Sequence, residues 1–588
     1  MNVLLPLAAG AAALALAYRL YPPFIARVFQ EDDRRPTPSR RFTDGVDFVE
    51  TRLHVAFAHH YATIAGAGPV VGPTLALAFG WQPVWLWIVV GGIAFGAVHD
   101  MTALFASIRE GGRTIGEIAR RTLGPTGYLL NLLVLIFVLT IINAIFLNLS
   151  ITALTSVYPT AALQLAPDQQ LFATVMENGV PQARIGGIAT TSVFIITAFA
   201  PMLGWLLRRN RISTPQAYIV AAAVCAGSIA AGFALPVGVS GDAWRYLLTA
   251  YVFFACALPL WLILQPRDFT NVQLLYGGQA LLLVAVVVSG AGGATLQAPA
   301  IDVAGGEAVM HGGIWPILFI TVACGAISGF HSLVASGTTV RQVPRESDCR
   351  RIGYGAMLVE SLLAISVVLA VGAALPRAEY LAIVYPASAP SNPLLGFALG
   401  AGRLIHDAFP LVPVAVAVVV AILMVEGFVV TTLDSAVRLC RYLLEEFWRF
   451  VFDGRPPAAL RHIYVNSGIA VGLMFFFSVS GTVRQMWPVF GAGNQLMAAL
   501  ALTTISVWLA QRARRHLFAL VPALFMIATT VAALWLLAAR HLRGENLVLG
   551  TTAAGLLLLA AGVVAVGAAR FSAAVQGTVR RPMVPAAD

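Results

Sequence analysis

Inside a run long enough to cross a membrane, "FAHHYATIAGAGPVVGPTLALAFG" (57–80) carries two adjacent histidines, His59 and His60, and then Gly66, Gly68, Pro69, Gly72 and Pro73. Backbone released from a helix in hydrocarbon must find partners in protein or in a water-lined cavity, so such a break is expected only where something polar is accommodated. A second run, "ACGAISGFHSLVASGTT" (323–339), repeats the pattern with Gly325, Ser328, Gly329, His331 and Gly337. Other polar groups stand in apolar runs: His99 and Asp100 in "GAVHDMTALF", Glu360 in "GYGAMLVESLL", Glu426, Thr431, Thr432, Asp434 and Ser435 in "MVEGFVVTTLDSAVRL", and Asn494 and Gln495 in "WPVFGAGNQLMAALAL". A charge in lipid costs on the order of a few kcal/mol or more, so these side chains face a bundle interior and mark an ion or substrate path. The competing reading is interhelical pairing, or snorkelling at a helix end. Adjacent histidines project about 100° apart on a helix and do not easily chelate one ion together. One of them with His99 and His331 could build a metal or haem site in a membrane-embedded redox protein or enzyme, but no CxxCH or thiolate pattern accompanies them.

The elements that must position these residues are membrane helices. With 59% hydrophobic and 11% charged residues over 588 positions, and a mean hydropathy of +0.82, the chain carries more apolar surface than a soluble domain can bury. Runs of about 20 apolar residues predict fifteen spans, near 3–20, 54–79, 84–108, 128–155, 185–207, 215–236, 246–264, 272–292, 313–337, 352–375, 411–437, 463–480, 488–510, 517–540 and 547–569. The start lacks a basic residue before its apolar run and reads as a retained helix rather than a cleaved signal. The five cysteines have no metal-type spacing and read as packing residues. All 37 basic residues are arginine; with the N-terminus outside, 30 fall on the cytoplasmic side of this topology and 7 on the other, as loop charge asymmetry requires. Arginines confined to alternate loops form no continuous basic face, so the formal charge of +10 does not indicate nucleic-acid binding. Within segment 376–410, "LLGFALGAGRLIHDAF" is amphipathic and reads as a short interfacial or lidding helix, or as an ordinary connector.

The expected fold is therefore an all-α polytopic membrane protein with about fifteen transmembrane helices. Residues 1–53 form an N-terminal helix and cytoplasmic linker, 54–510 a transporter core with broken helices at 54–79 and 313–337, and 511–588 C-terminal helices and a cytoplasmic tail. The two broken spans lie seven apart and so cross in opposite directions, which suits an inverted repeat holding a substrate between its breaks. An offset larger by two than a five-plus-five repeat requires extra helices between the halves.

In order along roughly residues 25–510, "FAHHYATIAGAGPVVGP", "GAVHDM", "REGGRTIGEIA", "CGAISGFHSLVASGTT", "GYGAMLVES", "TTLDSAVRLCRY" and "WPVFGAGNQLMAALAL" resemble the carbon starvation protein A family. The resemblance implies an inner-membrane transporter of peptides or pyruvate, grouped with the amino acid, polyamine and organocation transporters and their five-plus-five inverted repeats. It implies that Thr431, Thr432 and Ser435 occupy a helix that supplies sodium ligands in coupled relatives. Hard oxygen ligands of this kind suit a small cation, and the neighbouring Asp434 can instead carry a coupling proton; protons are favoured, sodium is the alternative, and no cofactor is expected. A small carboxylate would then bind near the bilayer midplane, where the half-helix beginning at Pro69 offers free amides and the positive end of its dipole. His59, His60, Gly66, Gly68, Pro69, Ser328, Gly329 and His331 are the candidate substrate residues. His99, Asp100, Glu360, Glu426, Thr431, Thr432, Asp434 and Ser435 are the candidate coupling residues. A sensor that binds nutrient without moving it is a third reading. The arginine distribution predicts that a reporter active only in the periplasm stays silent when fused after Asp588, and activity there would overturn the topology.

Overall fold

The computed structural model describes all residues except 45–47, 167–168, 170, 178, 210, 260–261, 388–390 and 578–588. The expected cytoplasmic tail therefore lies largely outside the described residues. The chain is mainly helical, as its composition requires. Among the described residues, eleven helices are long and apolar enough to cross a membrane, or thirteen if each of two bent pairs is one span. Fifteen spans were expected. Two of them, 246–264 and 463–480, are the short helices Gly241–Ala255 and Ile463–Ser480, and the former ends just before non-helical chain and Pro259. A small antiparallel sheet, Val157–Pro159, Thr174–Glu177 and Val180–Arg184 with the last strand central, occupies the segment 156–184 and was not expected.

Two compact units divide the chain. One comprises Met1–Leu7, Leu139–Ala300 and Ser366–Arg484; the other comprises Ala8–Val138, Ile301–Ile365 and Gln485–Asp588. We call them the first and the second unit.

The second unit holds the broken helices. Leu53–Ile64 ends at the glycine-rich stretch, and the chain resumes helix at Gly68–Ala76 and Leu77–Phe79, with a bend of 43°. Pro69 sits in the first turn of the new half-helix, where its missing N–H is no loss. Further on, Ile314–Leu318 and Phe319–Thr321 stop, Val322–Ile327 is non-helical, and helix resumes at Gly329–Gly337 with Ser328 as its N-cap. A separate bend of 60° lies between Val303–Met310 and Ile314–Thr321.

Side chains from neighbouring helices hold the second break. Asn494, in the helix Val483–Ala510, accepts from the Phe330 amide at 3.1 Å and pairs with Ser328 Oγ at 3.1 Å, so it caps the second half-helix. The carbonyls released on the other side are taken by Gln495 Nε2 (2.6 Å) and Trp87 Nε1 (3.2 Å) at Phe319, and by Trp487 Nε1 (3.1 Å) at Thr321. This satisfies the backbone that lipid could not. The interhelical pairing expected of Asn494 and Gln495 is thus with a broken backbone.

Gly68 and Gly72 form a small-xxx-small face that lets the second broken helix approach closely. A Cβ at Gly72 would lie 2.5 Å from the Thr321 carbonyl oxygen, and one at Gly68 would overlap the Cys324 side chain. At Gly329, an added Cβ would lie 2.5 Å from the Ala498 amide nitrogen and the Asn494 oxygen. Neither Gly66 nor Gly68 has positive φ among the described residues. Left-handed backbone is therefore not what requires glycine at these positions, and packing between the two breaks accounts for Gly68. Left-handed backbone is instead required in "REGGR", where Gly111 (φ +74°) and Gly112 (φ +81°) turn the chain. The turn sets Glu110 to accept from Trp508 Nε1 and Arg512 Nη2, each at 2.8 Å.

Two outcomes follow for purified protein in detergent. Asn494→Ala strands a buried amide and hydroxyl, and is expected to cost about 1–3 kcal/mol of stability. Gly72→Ala overpacks the crossing of the broken helices, for a similar cost of roughly 1–3 kcal/mol. Thermal unfolding checks both, and unchanged midpoints would show that the break is held elsewhere.

Candidate functional site

In the second unit, the residues gathered around the breaks form one chain of titratable groups. His331 lies in the first turn of Gly329–Gly337. Its Nδ1 is 2.8 Å from Asp100 Oδ2, and its Nε2 faces Glu360 Oε2 at 3.3 Å. The other Asp100 oxygen takes His99 Nδ1 at 2.7 Å. All four side chains are 0% exposed. Helical spacing places Asp100 on Ala97–Arg109 and Glu360 on Ala356–Ala374, on either side of the His331 half-helix. Among the described residues, both Glu360 oxygens, His331 Nε2 and His99 Nε2 have no hydrogen-bond partner.

His60 is fully buried, and its Nδ1 lies 2.8 Å from Thr339 Oγ1, which ties the first half of one broken helix to the chain just past the other. His59 is half-buried and stands outside this network. Ser328 and Gly329 serve the capped break described above. At the first break, the Ala67 and Gly68 amides take no hydrogen bond among the described residues, whereas Val70 and Val71 already donate to the Ala67 carbonyl. The new half-helix begins at Gly68, one residue before the position read from the sequence.

This arrangement suits proton handling. An imidazole between two carboxyls can accept a proton on one nitrogen and release one from the other. Asp100 is held by two histidines and orients the ring, while Glu360, with no hydrogen bond, is the freer acceptor. Among the described residues, no group of three His, Cys, Asp or Glu is arranged to hold a metal ion.

The remaining candidates belong to the first unit. Asp434, on Val414–Val451, is 1% exposed, and its Oδ2 takes Arg267 Nη1 at 2.7 Å and the Tyr251 hydroxyl at 2.9 Å. Thr431 Oγ1 accepts from Asn271 Nδ2 at 3.1 Å and bonds to Asp268. Glu426 and Thr432 are each 2% exposed, and Glu426 Oε1, Thr432 Oγ1 and Asp434 Oδ1 have no hydrogen-bond partner among the described residues. Ser435 is half-buried. Snorkelling does not describe Asp434, which is paired in the interior.

Sequence reading missed Arg267, Asp268, Asn271 and Tyr251. Arg267 and Asp268 fall between the expected spans 246–264 and 272–292 and read there as loop, but the helix begins at Leu264 and buries them. The spacing 267, 268, 271, 275 was the available signal, since it places these residues on one helical face.

The family model for carbon starvation protein CstA matches residues 2–393 and 388–533. The peptide transporter CstA of Bacillus subtilis is 32% identical over 596 residues, covering 93% of this chain and 92% of that protein. The pyruvate/proton symporter BtsT of Escherichia coli is 28% identical over 599 residues, covering 90% and 79%. Among solved structures, the Eremococcus coleocola manganese transporter in complex with an aromatic bis-isothiourea substituted compound aligns with a TM-score of 0.44 at 12% identity, covering 90% of this chain and 99% of that one. MhsT in complex with L-phenylalanine aligns at 0.42 and 13% identity, covering 88% and 98%. The family model runs through both broken helices and through every segment that carries a buried carboxyl, and on that match the chain belongs to the carbon starvation protein CstA family.

Proposed function

We propose that this membrane transporter is a secondary active importer of a small carboxylate nutrient, pyruvate or a short peptide, across the bacterial cytoplasmic membrane by proton symport. In this reading the N-terminus is outside, the C-terminus is cytoplasmic, and an inverted-repeat core alternates access to a site between the broken helices. The observation that carries the proposal is the wholly buried sequence Asp100–His331–Glu360 beside the two breaks. Charges in a membrane interior are costly, and a connected set of them is expected where protons travel. The relatives' names support the substrate class: one is a peptide transporter and another a pyruvate/proton symporter. The redox reading is not favoured, since these relatives are transporters.

The chemistry follows from charge balance. With both carboxyls ionised and the imidazole protonated, the site carries one net negative charge, and a further proton makes it neutral. A carboxylate arriving beside a negative site is repelled; beside a protonated one it is not. Proton loading before substrate binding therefore couples the two without direct contact. The Ala67 and Gly68 amides and the positive end of the half-helix starting at Gly68 offer the substrate carboxylate donors that do not titrate. His60 lends a polar edge nearby in sequence.

Proteoliposomes loaded with buffer and given an inward proton gradient should accumulate labelled pyruvate or a labelled dipeptide. Glu360→Gln keeps shape and hydrogen-bonding capacity but cannot carry a proton; it should lower uphill accumulation at least about tenfold, a loss on the order of 1.4 kcal/mol in driving force, while exchange at equal concentrations persists. Full accumulation on a sodium gradient alone would sink the proton reading. His331→Asn should depress both accumulation and exchange, because it removes the link between the carboxyls.

A further inference from the structure

The proposed cycle uses only the second unit, yet the first unit contains its own buried charge cluster. Its cations are Arg267 and Arg438, 2% and 6% exposed; its carboxyls are Asp268, Glu426 and Asp434, 9%, 2% and 1% exposed. Arg438 Nη2 is spent on the carbonyls of Ala255 (2.6 Å) and Leu258 (2.7 Å), and Arg441 is paired with Glu445 at 2.6 Å and leaves the balance unchanged. Among the described residues, three carboxyls thus face two guanidinium groups. A surplus negative charge in a dry interior is not tolerated without compensation.

The geometry selects what compensates it. Asp434 offers one oxygen to Arg267 and Tyr251, and Asp268 receives the Thr431 hydroxyl. Among the described residues, Glu426 Oε1 is buried and without a hydrogen bond, as is Asp434 Oδ1. A metal cation would need several converging ligands and would sit against Arg267, and among the described residues no group of three His, Cys, Asp or Glu is arranged to hold one. A proton needs one oxygen and no shell. Glu426 and Asp434 lie eight residues apart on one helix, about 12 Å along its axis, with Thr431, Asn271 and Asp268 between them.

We infer that this cluster is a second proton site: it holds one proton, resting on Glu426 and exchangeable with Asp268 and Asp434, and takes up and releases it once per transport cycle. Arg267 is its positioning residue: it holds Asp434 Oδ2 at 2.7 Å and supplies the charge against which the count of one is set. The inference rests on proton-coupled uptake and adds a site and a stoichiometry to it.

The test is the number of protons moved per labelled pyruvate or dipeptide, from reversal potentials in proteoliposomes, together with the infrared carboxyl C=O band of the purified full-length protein. Glu426→Gln should lower the count by one and remove part of that band. Asp268→Asn and Asp434→Asn should each do the same, because any single neutralisation abolishes the surplus; they serve as well if the first variant does not fold. An unchanged count and band in these variants, while wild-type uptake remains proton-driven, would overturn the second site. Thermal stabilisation of wild type, but not of Glu426→Gln, by sodium over choline chloride would assign the cluster to sodium and overturn it as well. If wild-type uptake proves independent of protons, the importer mechanism fails, and the infrared arm still decides whether the cluster holds a proton: a band lost in Glu426→Gln supports it, and an unchanged band refutes it.

Discussion

Everything near the candidate site depends on one constraint: a helix broken inside a membrane must have its freed amides and carbonyls satisfied by protein. At the second break this falls to Asn494, which caps Gly329–Gly337, and to Gln495, Trp87 and Trp487, which take the carbonyls of Phe319 and Thr321. His331 rides on the capped half-helix, so its distance from Asp100 and Glu360 is set by the hydrogen bonds of Asn494 rather than by its own rotamer alone. Once the break is held, a histidine two residues past it has a fixed direction, and two carboxyls from separate helices can be brought to it.

The first break is held differently. Gly68 and Gly72 remove side chains from one face, and the chain from Thr321 to Cys324 fills the space. Two interrupted helices thus support one another: the glycines of one admit the unwound backbone of the other, while the Ala67 and Gly68 amides have no partner among the described residues.

The two units handle buried charge in contrasting ways. In the second unit, histidine lies between carboxyls. In the first, arginine pairs with one carboxyl and leaves the others without a guanidinium contact of that kind among the described residues. A guanidinium does not deprotonate in a protein, so it sets a reference against which protons are counted, whereas an imidazole takes part in the transfer.

Apolar runs and arginine placement were enough, from the sequence alone, to establish a polytopic helical membrane protein, and the Gly and Pro clusters located both interruptions, because breaks and membrane spans are local properties of composition. Ordered motifs were enough to suggest the family. Span length was less legible: the expected spans at 246–264 and 463–480 are short helices, and Arg267, read as loop, lies inside a helix, since apolar composition marks where lipid is tolerated but not where hydrogen bonding begins. Pairings were not legible at all. His331 lies 231 residues from Asp100, Arg267 lies 167 from Asp434, and Asn494 lies 164 from the Phe330 amide it caps. No periodicity carries across such separations, so only tertiary packing decided which buried charges meet, which amides remain free, and why Gly68 had to be glycine.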